Sequence, residues 1–514
     1  MSLLRKCSVI LLTVVWSTVA LAAVLLAGPA QARDRAVEAL PDLSERFSEG
    51  DDTAVRGSPW WAELGSAELD RLMVAAVAAN PDLQTTLSQA RQAHALSMTA
   101  VTAFTPSVSL GAQLNVVPSE SLLFGNPAAT GNSFADSLAP LYEALAEMGI
   151  TVDTSSTESQ GSGATFADTV YTGSANATVS LPLDLWGVGV QSFVAGRWDA
   201  HAAARAADAL RLTVTTSVAR AWLDVVSGTA RIAVVGEQVQ TAAAILELTE
   251  LRYERGEATA LDVLQQRQQL ATTRSLLPQS RALLRISQQQ LAILLGQSAS
   301  ESVEVLTAAM PVLPAQPPVG TPADLVSRSP TVLVAAAQLT AARHREQAAW
   351  RASLPAVALQ ASYGPQFFNF DGESWDSDSF WSAGASVSLP IFQSGAAVHG
   401  IRSTRSGADA AGYSLQSAAL SAVQQVEAAL ALEAERSLQQ EQSRLVSEAA
   451  AATLDASLEQ YRSGLINHIP VITAQQSSLS AELSLLQADR DLLDARIQLH
   501  AALGSVATPS GDAR

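Results

Sequence analysis

The feature that most constrains the fold of this 514-residue chain is an internal duplication. Short motifs recur in the same order and with constant spacing, which chance matches do not do. The offset between copies is 249 residues near the start of each copy and 208 residues farther along. The paired positions are Pro81 and Pro330, Pro106 and Pro355, Val179 and Val387, Pro182 and Pro390, Tyr253 and Tyr461, Gly256 and Gly464, Val263 and Val471, and Leu295 and Leu503. The chain therefore encodes two copies of one unit, not the three independent domains that its length suggests.

The change of offset places 41 additional residues in the first copy, between Pro106 and Pro182. This segment contains a predicted short helix from Phe134 to Met148 and a Ser/Gly-rich stretch from Ser155 to Gly163. Loops absorb insertions more readily than regular elements do. We interpret residues 118–168 as a long loop that accommodates the insertion.

Each copy contains two stretches in which apolar residues alternate strictly with small or polar ones. Such a pattern predicts strands with one apolar face, of a length that crosses a bilayer in a tilted barrel or covers the core of a soluble sandwich. Four strands cannot close a barrel, because the smallest bacterial barrels need about eight. A barrel would therefore be shared, and three chains would supply twelve strands. The alternating stretches are Val108 to Val116, Tyr171 to Leu181, Val357 to Tyr363, and Trp381 to Leu389. We interpret the Trp/Phe-rich stretch from Phe367 to Trp381 as a second loop.

Long helical segments follow each pair of strands. Val188 to Arg252 lacks proline and would form a helix of about 100 Å. Such a length calls for coiled-coil packing or a helical tube, and abundant alanine with only 5% aromatics suits closely packed helices. The fold class is mainly α with a β portion. The other helical segments are Leu261 to Leu294, Ala396 to Arg462, Pro470 to Leu503, Asp82 to Ala103, and Val332 to Ser353.

The first 32 residues have the layout of a secretory signal peptide. Arg5 and Lys6 precede an apolar run, and Ala30-Gln31-Ala32 forms a small-residue cleavage site. The alternative is a permanent membrane anchor, because the run is long enough to span a bilayer. Cys7 lies at the front of the run and not at a cleavage point, so the protein is not predicted to be a lipoprotein.

The composition excludes several classes of function. A net charge of −18 disfavours broad binding to nucleic acid. The single cysteine excludes an intrachain disulfide and a cysteine-based zinc site, and no two of the six histidines have metal-ligand spacing. Phosphate-binding glycine loops and nucleophile motifs are also lacking. The sequence therefore predicts neither an enzyme nor a cofactor or metal site.

Three motifs resemble the TolC-like outer-membrane efflux proteins, in their drug-efflux branch. They are Trp60-Trp61 with Leu69-Asp70-Arg71-Leu72 and Ala79-Asn80-Pro81-Asp82-Leu83, the stretch from Arg252 to Leu264, and Pro322-Ala323-Asp324-Leu325-Val326. The resemblance departs at Arg328-Ser329-Pro330-Thr331, where the family has Arg-Arg-Pro-Asp. The resemblance implies a homotrimer that forms a 12-stranded outer-membrane β-barrel continued by a periplasmic α-helical tube. The loop at residues 118–168 would then be external, and it would either cap the pore or be a tolerated insertion.

The function implied is the outer-membrane channel of a tripartite efflux system. Such a channel would be a passive duct for drugs or other small molecules, fed by an inner-membrane pump through a periplasmic adaptor and surrounded by outer-membrane lipid. The alternative is a periplasmic coiled-coil scaffold or adaptor held by an uncleaved anchor. A scaffold, however, has no use for four alternating strands at repeat-related positions.

The domain boundaries follow from the duplication and the resemblance. Residues 1–32 form the signal peptide, 33–58 an N-terminal segment, 59–296 the first repeat, 297–325 a linker, 326–504 the second repeat, and 505–514 a tail.

The resemblance also implies a gate at the periplasmic end of the tube. Gly256 and Gly464 would form the tip turns, and Tyr461 would donate a hydrogen bond to Asp262. The alternative is that Tyr461 is ordinary packing and Asp262 a helix-start acid favoured by the helix dipole. The family's aperture carboxylates fall on Pro470 and Thr473, so an acidic constriction there is not expected. His468 is a candidate for lining the entrance instead.

Overall fold

The computed structural model describes residues 46–47, 60–118, 169–300, 305, 309–370, 373–376, 380–390 and 394–504. The predicted signal peptide, the first long loop with its short helix, and the C-terminal tail lie outside these residues. The chain divides into two compact units. We call Met1–Ala100, Gln191–Ala349 and Ala396–Arg514 the helical unit, and Val101–Val190 with Trp350–Gly395 the sheet unit.

The long helices reproduce the duplication. Helices α3 (Val188–Glu254) and α7 (Ala396–Arg462) have 67 residues each. Helices α4 (Ala260–Leu294) and α8 (His468–Ala502) have 35 each. All four pairs of ends are related by the offset of 208 found in the sequence, and the predicted bounds are confirmed to within two residues.

The shorter helices are α1 (Ala67–Ala79), α2 (Pro81–Thr99), α5 (Pro322–Arg328) and α6 (Pro330–Arg351), with 3₁₀ turns at Trp60–Leu64 and Ala100–Phe104. Asn80, in the first of the motifs, contacts the ends of two helices. Its Oδ1 accepts from the Leu83 amide at 3.1 Å and so caps α2, while Nδ2 donates to the Leu294 carbonyl at the end of α4 at 3.0 Å. One buried side chain thus satisfies the ends of two helices.

The core of the helical unit is duplicated as well. One cluster contains Val218, Leu291 and Leu295, and a second contains their counterparts 208 residues later, Val426, Leu499 and Leu503. A third and smaller cluster of Ile245, Tyr461 and Val471 lies where the long helices end. The helical segments therefore bury equivalent apolar positions in both repeats.

The sheet unit is an antiparallel sheet of β1 (Ser107–Pro118), β2 (Thr169–Leu183), β3 (Ala356–Gly364), β4 (Gln366–Phe370), β5 (Glu373–Asp376) and β6 (Phe380–Ser388). Its register aligns the apolar positions of neighbouring strands. Leu181 lies opposite Leu359, and Leu359 lies opposite Ala385. The alternation in the sequence is thereby confirmed as one apolar and one polar face.

The interpretation of the Trp/Phe-rich stretch as a loop was wrong, because it contains β4 and β5. Tyr363 pairs with Ala177 and Gln366 pairs with Ser174, so β3 and β4 keep the same register along β2. Pro365 interrupts the strand between them, since it has no N–H, yet its carbonyl accepts from the Ala175 amide at 3.1 Å. The aromatic residues favour strand on both sides of the proline. The sheet therefore has four long arms, which are β1, β2, β3 with β4, and β6 with β5.

Within the described part of the chain, no helix has a stretch that is long and apolar enough to cross a membrane.

Candidate functional site at the helix tips

Two turns of the same construction join the long helices. Gly256 and Gly464 both have φ of 76°, a left-handed conformation that suits glycine. In the first turn, the Gly256 amide donates to the Tyr253 carbonyl and the Glu257 amide donates to the Arg252 carbonyl. The second turn repeats this pair of bonds from Gly464 and Leu465. Both helices thus end in a Schellman motif, and the predicted tip glycines occupy its left-handed position.

Asp262 is engaged in a capping box at the start of α4. Its Oδ2 accepts from the Thr259 amide and from Thr259 Oγ1, each at 2.8 Å. Thr259 Oγ1 accepts in turn from the Asp262 amide at 3.2 Å. The helix-start role that the sequence left open is therefore present in the structure. The hydrogen bond from Tyr461 to Asp262 stays a prediction.

Tyr461 lies in the last turn of α7 and is only 3% exposed. Its ring belongs to the cluster with Ile245 and Val471. The hydroxyl Oη is buried and has no hydrogen-bond partner among the described residues. The ring, and not the hydroxyl, therefore makes the contacts that hold this side chain within the chain.

Arg252 is the residue at this site that sequence reasoning missed. Its guanidinium carbon lies 4.5 Å from the centroid of the Tyr461 ring, and Nη1 donates to the Tyr461 carbonyl. Nε lies 3.7 Å from a carboxylate oxygen of Glu257. The sequence did include Arg252 in the tip motif, but nothing in that motif indicated a contact with a residue 209 positions away.

His468 is the first residue of α8 and is 1% exposed. Its ring centroid lies 5.3 Å from that of Tyr461, and neither ring nitrogen has a hydrogen-bond partner among the described residues. Burial lowers the pKa of His468, and the nearby Asp262 carboxylate opposes that shift only in part. The structure buries the imidazole beside the Tyr461 ring, so lining of an entrance by His468 stays a prediction that requires the tip to open.

Charged side chains of α8 tie the two repeats together farther from the tips. Arg220 of α3 donates from Nε to Asp494 at 2.6 Å, and Arg490 donates from Nη2 to Asp224 at 2.7 Å. The residues of α4 equivalent to Arg490 and Asp494 are Ala282 and Ile286. At these two positions the duplicated helices have therefore diverged, from apolar residues in α4 to charged residues in α8. Among the described residues, no cluster of His, Cys, Asp and Glu is arranged to hold a metal ion.

Comparisons with known proteins identify relatives of the whole chain. A family model described as "Outer membrane efflux protein" matches residues 145–297 and 321–505, including both tips. The chain is 26% identical over 461 residues to the pyoverdine export outer membrane protein OpmQ of Pseudomonas aeruginosa. This match covers 87% of this chain and 86% of OpmQ.

Two solved structures show the same fold. A membrane protein from Pseudomonas aeruginosa matches with a TM-score of 0.75 at 22% identity, covering 90% of this chain and 98% of that one. The outer-membrane channel OprN matches with a TM-score of 0.72 at 21% identity, covering 91% and 98%.

Proposed function

The chain belongs to the outer membrane efflux protein family, and from that premise we propose that it acts as a homotrimer. It is the outer-membrane channel of an efflux system, located in the outer membrane with a periplasmic extension. The observation that carries this function is the family match over both repeats. The same repeats are those that the constant offset of 208 residues defines in the long helices.

The sheet supports the trimer. Along the described strands, β1 pairs only with β2 and β6 pairs only with β3, so both edges offer unpaired backbone groups. In lipid such groups must be satisfied by closure of the sheet. Four arms are too few for closure, whereas three copies would provide the twelve-stranded barrel that the resemblance implies.

The partners follow from the same proposal. A passive duct needs an energy source, which an inner-membrane pump would supply through a periplasmic adaptor. OpmQ is named for the export of pyoverdine. For this chain we propose only that the exported substrate is a small molecule. No catalytic step is assigned to any of its residues.

The tips are proposed as the closed periplasmic end, with Tyr461 and Asp262 at the gate. Both residues lie at the ends of helices that meet there, and Tyr461 and His468 are buried side by side. Opening would have to separate the ends of α7 and α8 from those of α3 and α4.

Membrane fractionation and planar-bilayer recording test the function together. We expect the full-length protein in the outer-membrane fraction, as a trimer that gives single-channel currents. A soluble periplasmic protein without currents would overturn the proposal and favour the scaffold alternative.

A further inference from the structure

We propose that Arg252 is the positioning residue that holds the tip closed, by binding the end of α7 from the end of α3. This inference rests on the proposed channel function and adds to it a residue that the family resemblance did not assign to the gate. We call the stacking of the guanidinium on the Tyr461 ring, together with the hydrogen bond to the Tyr461 carbonyl, the Arg252–Tyr461 contact.

The first part of the contact is electrostatic. The Tyr461 carbonyl belongs to the last turn of α7, where carbonyl groups lack helical partners and the helix dipole favours a cation. The Gly464 amide donates to this carbonyl at 3.1 Å, and Arg252 supplies a second donor that carries a full charge. Arg252 thus binds α7 at the point where a cation is most favourable.

The second part of the contact is between the guanidinium and the Tyr461 ring. At 4.5 Å the guanidinium carbon is well within the range of a cation–π contact. The Arg252 side chain is only 11% exposed, so water and salt screen the interaction weakly. A carboxylate oxygen of Glu257, in the turn that follows α3, lies 3.7 Å from Nε and adds an ion pair to the guanidinium.

The duplication does not provide a second, equivalent contact. The residue equivalent to Arg252 in the second repeat is Gln460, which carries no charge. The tyrosine equivalent to Tyr461 is Tyr253, which is 50% exposed. The first repeat therefore holds the second through this contact, in addition to the apolar packing of Ile245 of α3 against Tyr461.

The tyrosine hydroxyl takes no part in the contact. Oη has no partner among the described residues, whereas the ring face and the main-chain carbonyl both contact Arg252. The Arg252–Tyr461 contact and a Tyr461–Asp262 hydrogen bond therefore make opposite predictions for Tyr461→Phe, which removes only the hydroxyl.

The experiment compares variants of the full-length protein in planar bilayers. We expect Arg252→Met to raise the open probability about tenfold, which matches the loss of one desolvated cation–π contact. Arg252→Lys should restore closure in part, because it keeps the charge without the planar donor group. Tyr461→Leu should match Arg252→Met, while Tyr461→Phe should stay closed. Arg255→Met is the matched control, since Arg255 is exposed one turn away.

Coupling separates a specific contact from general damage to the tip. The double variant Arg252→Met with Tyr461→Leu should open no more than either single variant, because both remove the same interaction. Additive effects would overturn the proposal, and so would opening by Tyr461→Phe or by Arg255→Met to the level of Arg252→Met.

Hydrogen exchange of the last turns of α7 provides a readout that does not depend on conduction. We expect faster exchange there in Arg252→Met than in the wild type or Arg255→Met. If no variant conducts but exchange increases in Arg252→Met, the result rejects the channel function and supports the Arg252–Tyr461 contact. If the variants conduct like the wild type and exchange is unchanged, the contact fails while the channel function stands.

Discussion

Arg496 of α8 and Glu433 of α7 form an ion pair in which the two side chains are only 5% and 9% exposed. Arg496 Nε lies 2.9 Å from Glu433 Oε1, and Nη1 donates to the Pro314 carbonyl at 2.5 Å. Pro314 belongs to the segment between the repeats. A single guanidinium thus joins two helices of the second repeat to the linker, with little solvent to screen it.

Arg496→Met should destabilise the protein strongly. Removal of one member of a buried pair leaves the other charge unpaired, which costs about 3–5 kcal/mol. The double variant Arg496→Met with Glu433→Leu should recover most of that loss, since neither charge then remains. Guanidinium denaturation of the purified protein measures both. A double variant less stable than the single one would contradict this account.

His500 should make the helical unit sensitive to acid. It stacks on Trp60 with ring centroids 5.6 Å apart, and burial together with the Arg496 charge lowers its pKa from 6.5 to about 4. The unfolded chain therefore binds a proton at a higher pH than the folded chain does. Stability should fall as pH decreases from about 6.5 to about 4, by about 3 kcal/mol at most. The measurement is the denaturation midpoint as a function of pH. His500→Phe should flatten the profile, whereas His399→Gln, at an exposed position, should not change it.

His468 should couple opening of the tip to pH. Its pKa lies below 6.5 while the ring is buried, and exposure on opening would return it toward that value. The open state then binds protons more readily, so acid favours it. The Asp262 carboxylate raises the pKa of buried His468 and so reduces the difference in pKa between the closed and open states. Arg252, which also contacts Tyr461, adds a positive charge near the same rings.

We expect the open probability in bilayers to rise as pH falls below about 6.5, and His468→Leu to abolish that rise. A rise that persists in His468→Leu would assign the pH dependence to another group.

The sequence predicted the elements better than the contacts between them. The offset of 208 placed the ends of α3 and α7 because each copy gives independent information on the same boundary. By contrast, β4 was missed because Pro365 and the acidic residues after it resemble a loop, and only pairing with β2 shows the strand. The partner of Tyr461 was missed for a related reason. Arg252 lies 209 residues away, and no local pattern specifies which of several tip side chains reaches the ring.

Variants of Asp262 and Thr259 distinguish a capping role of Asp262 from a role in the gate. Loss of an N-terminal cap typically costs about 1 kcal/mol, so Asp262→Ala and Thr259→Ala should loosen the start of α4 to a similar extent. If Asp262 acts through the capping box alone, the two variants should raise single-channel conductance equally.

The chain contains a matched control. Thr321 and Asp324 form the same box at the start of α5, where Thr321 Oγ1 donates to Asp324 Oδ2 at 2.8 Å. Asp324→Ala should cost similar stability and leave conductance unchanged, because α5 is not one of the tip helices. An increase in conductance with Asp262→Ala that Thr259→Ala does not reproduce would assign Asp262 a contact beyond the cap. The hydrogen bond from Tyr461 would then be the first candidate, because its hydroxyl is buried near the same helix ends without another partner among the described residues.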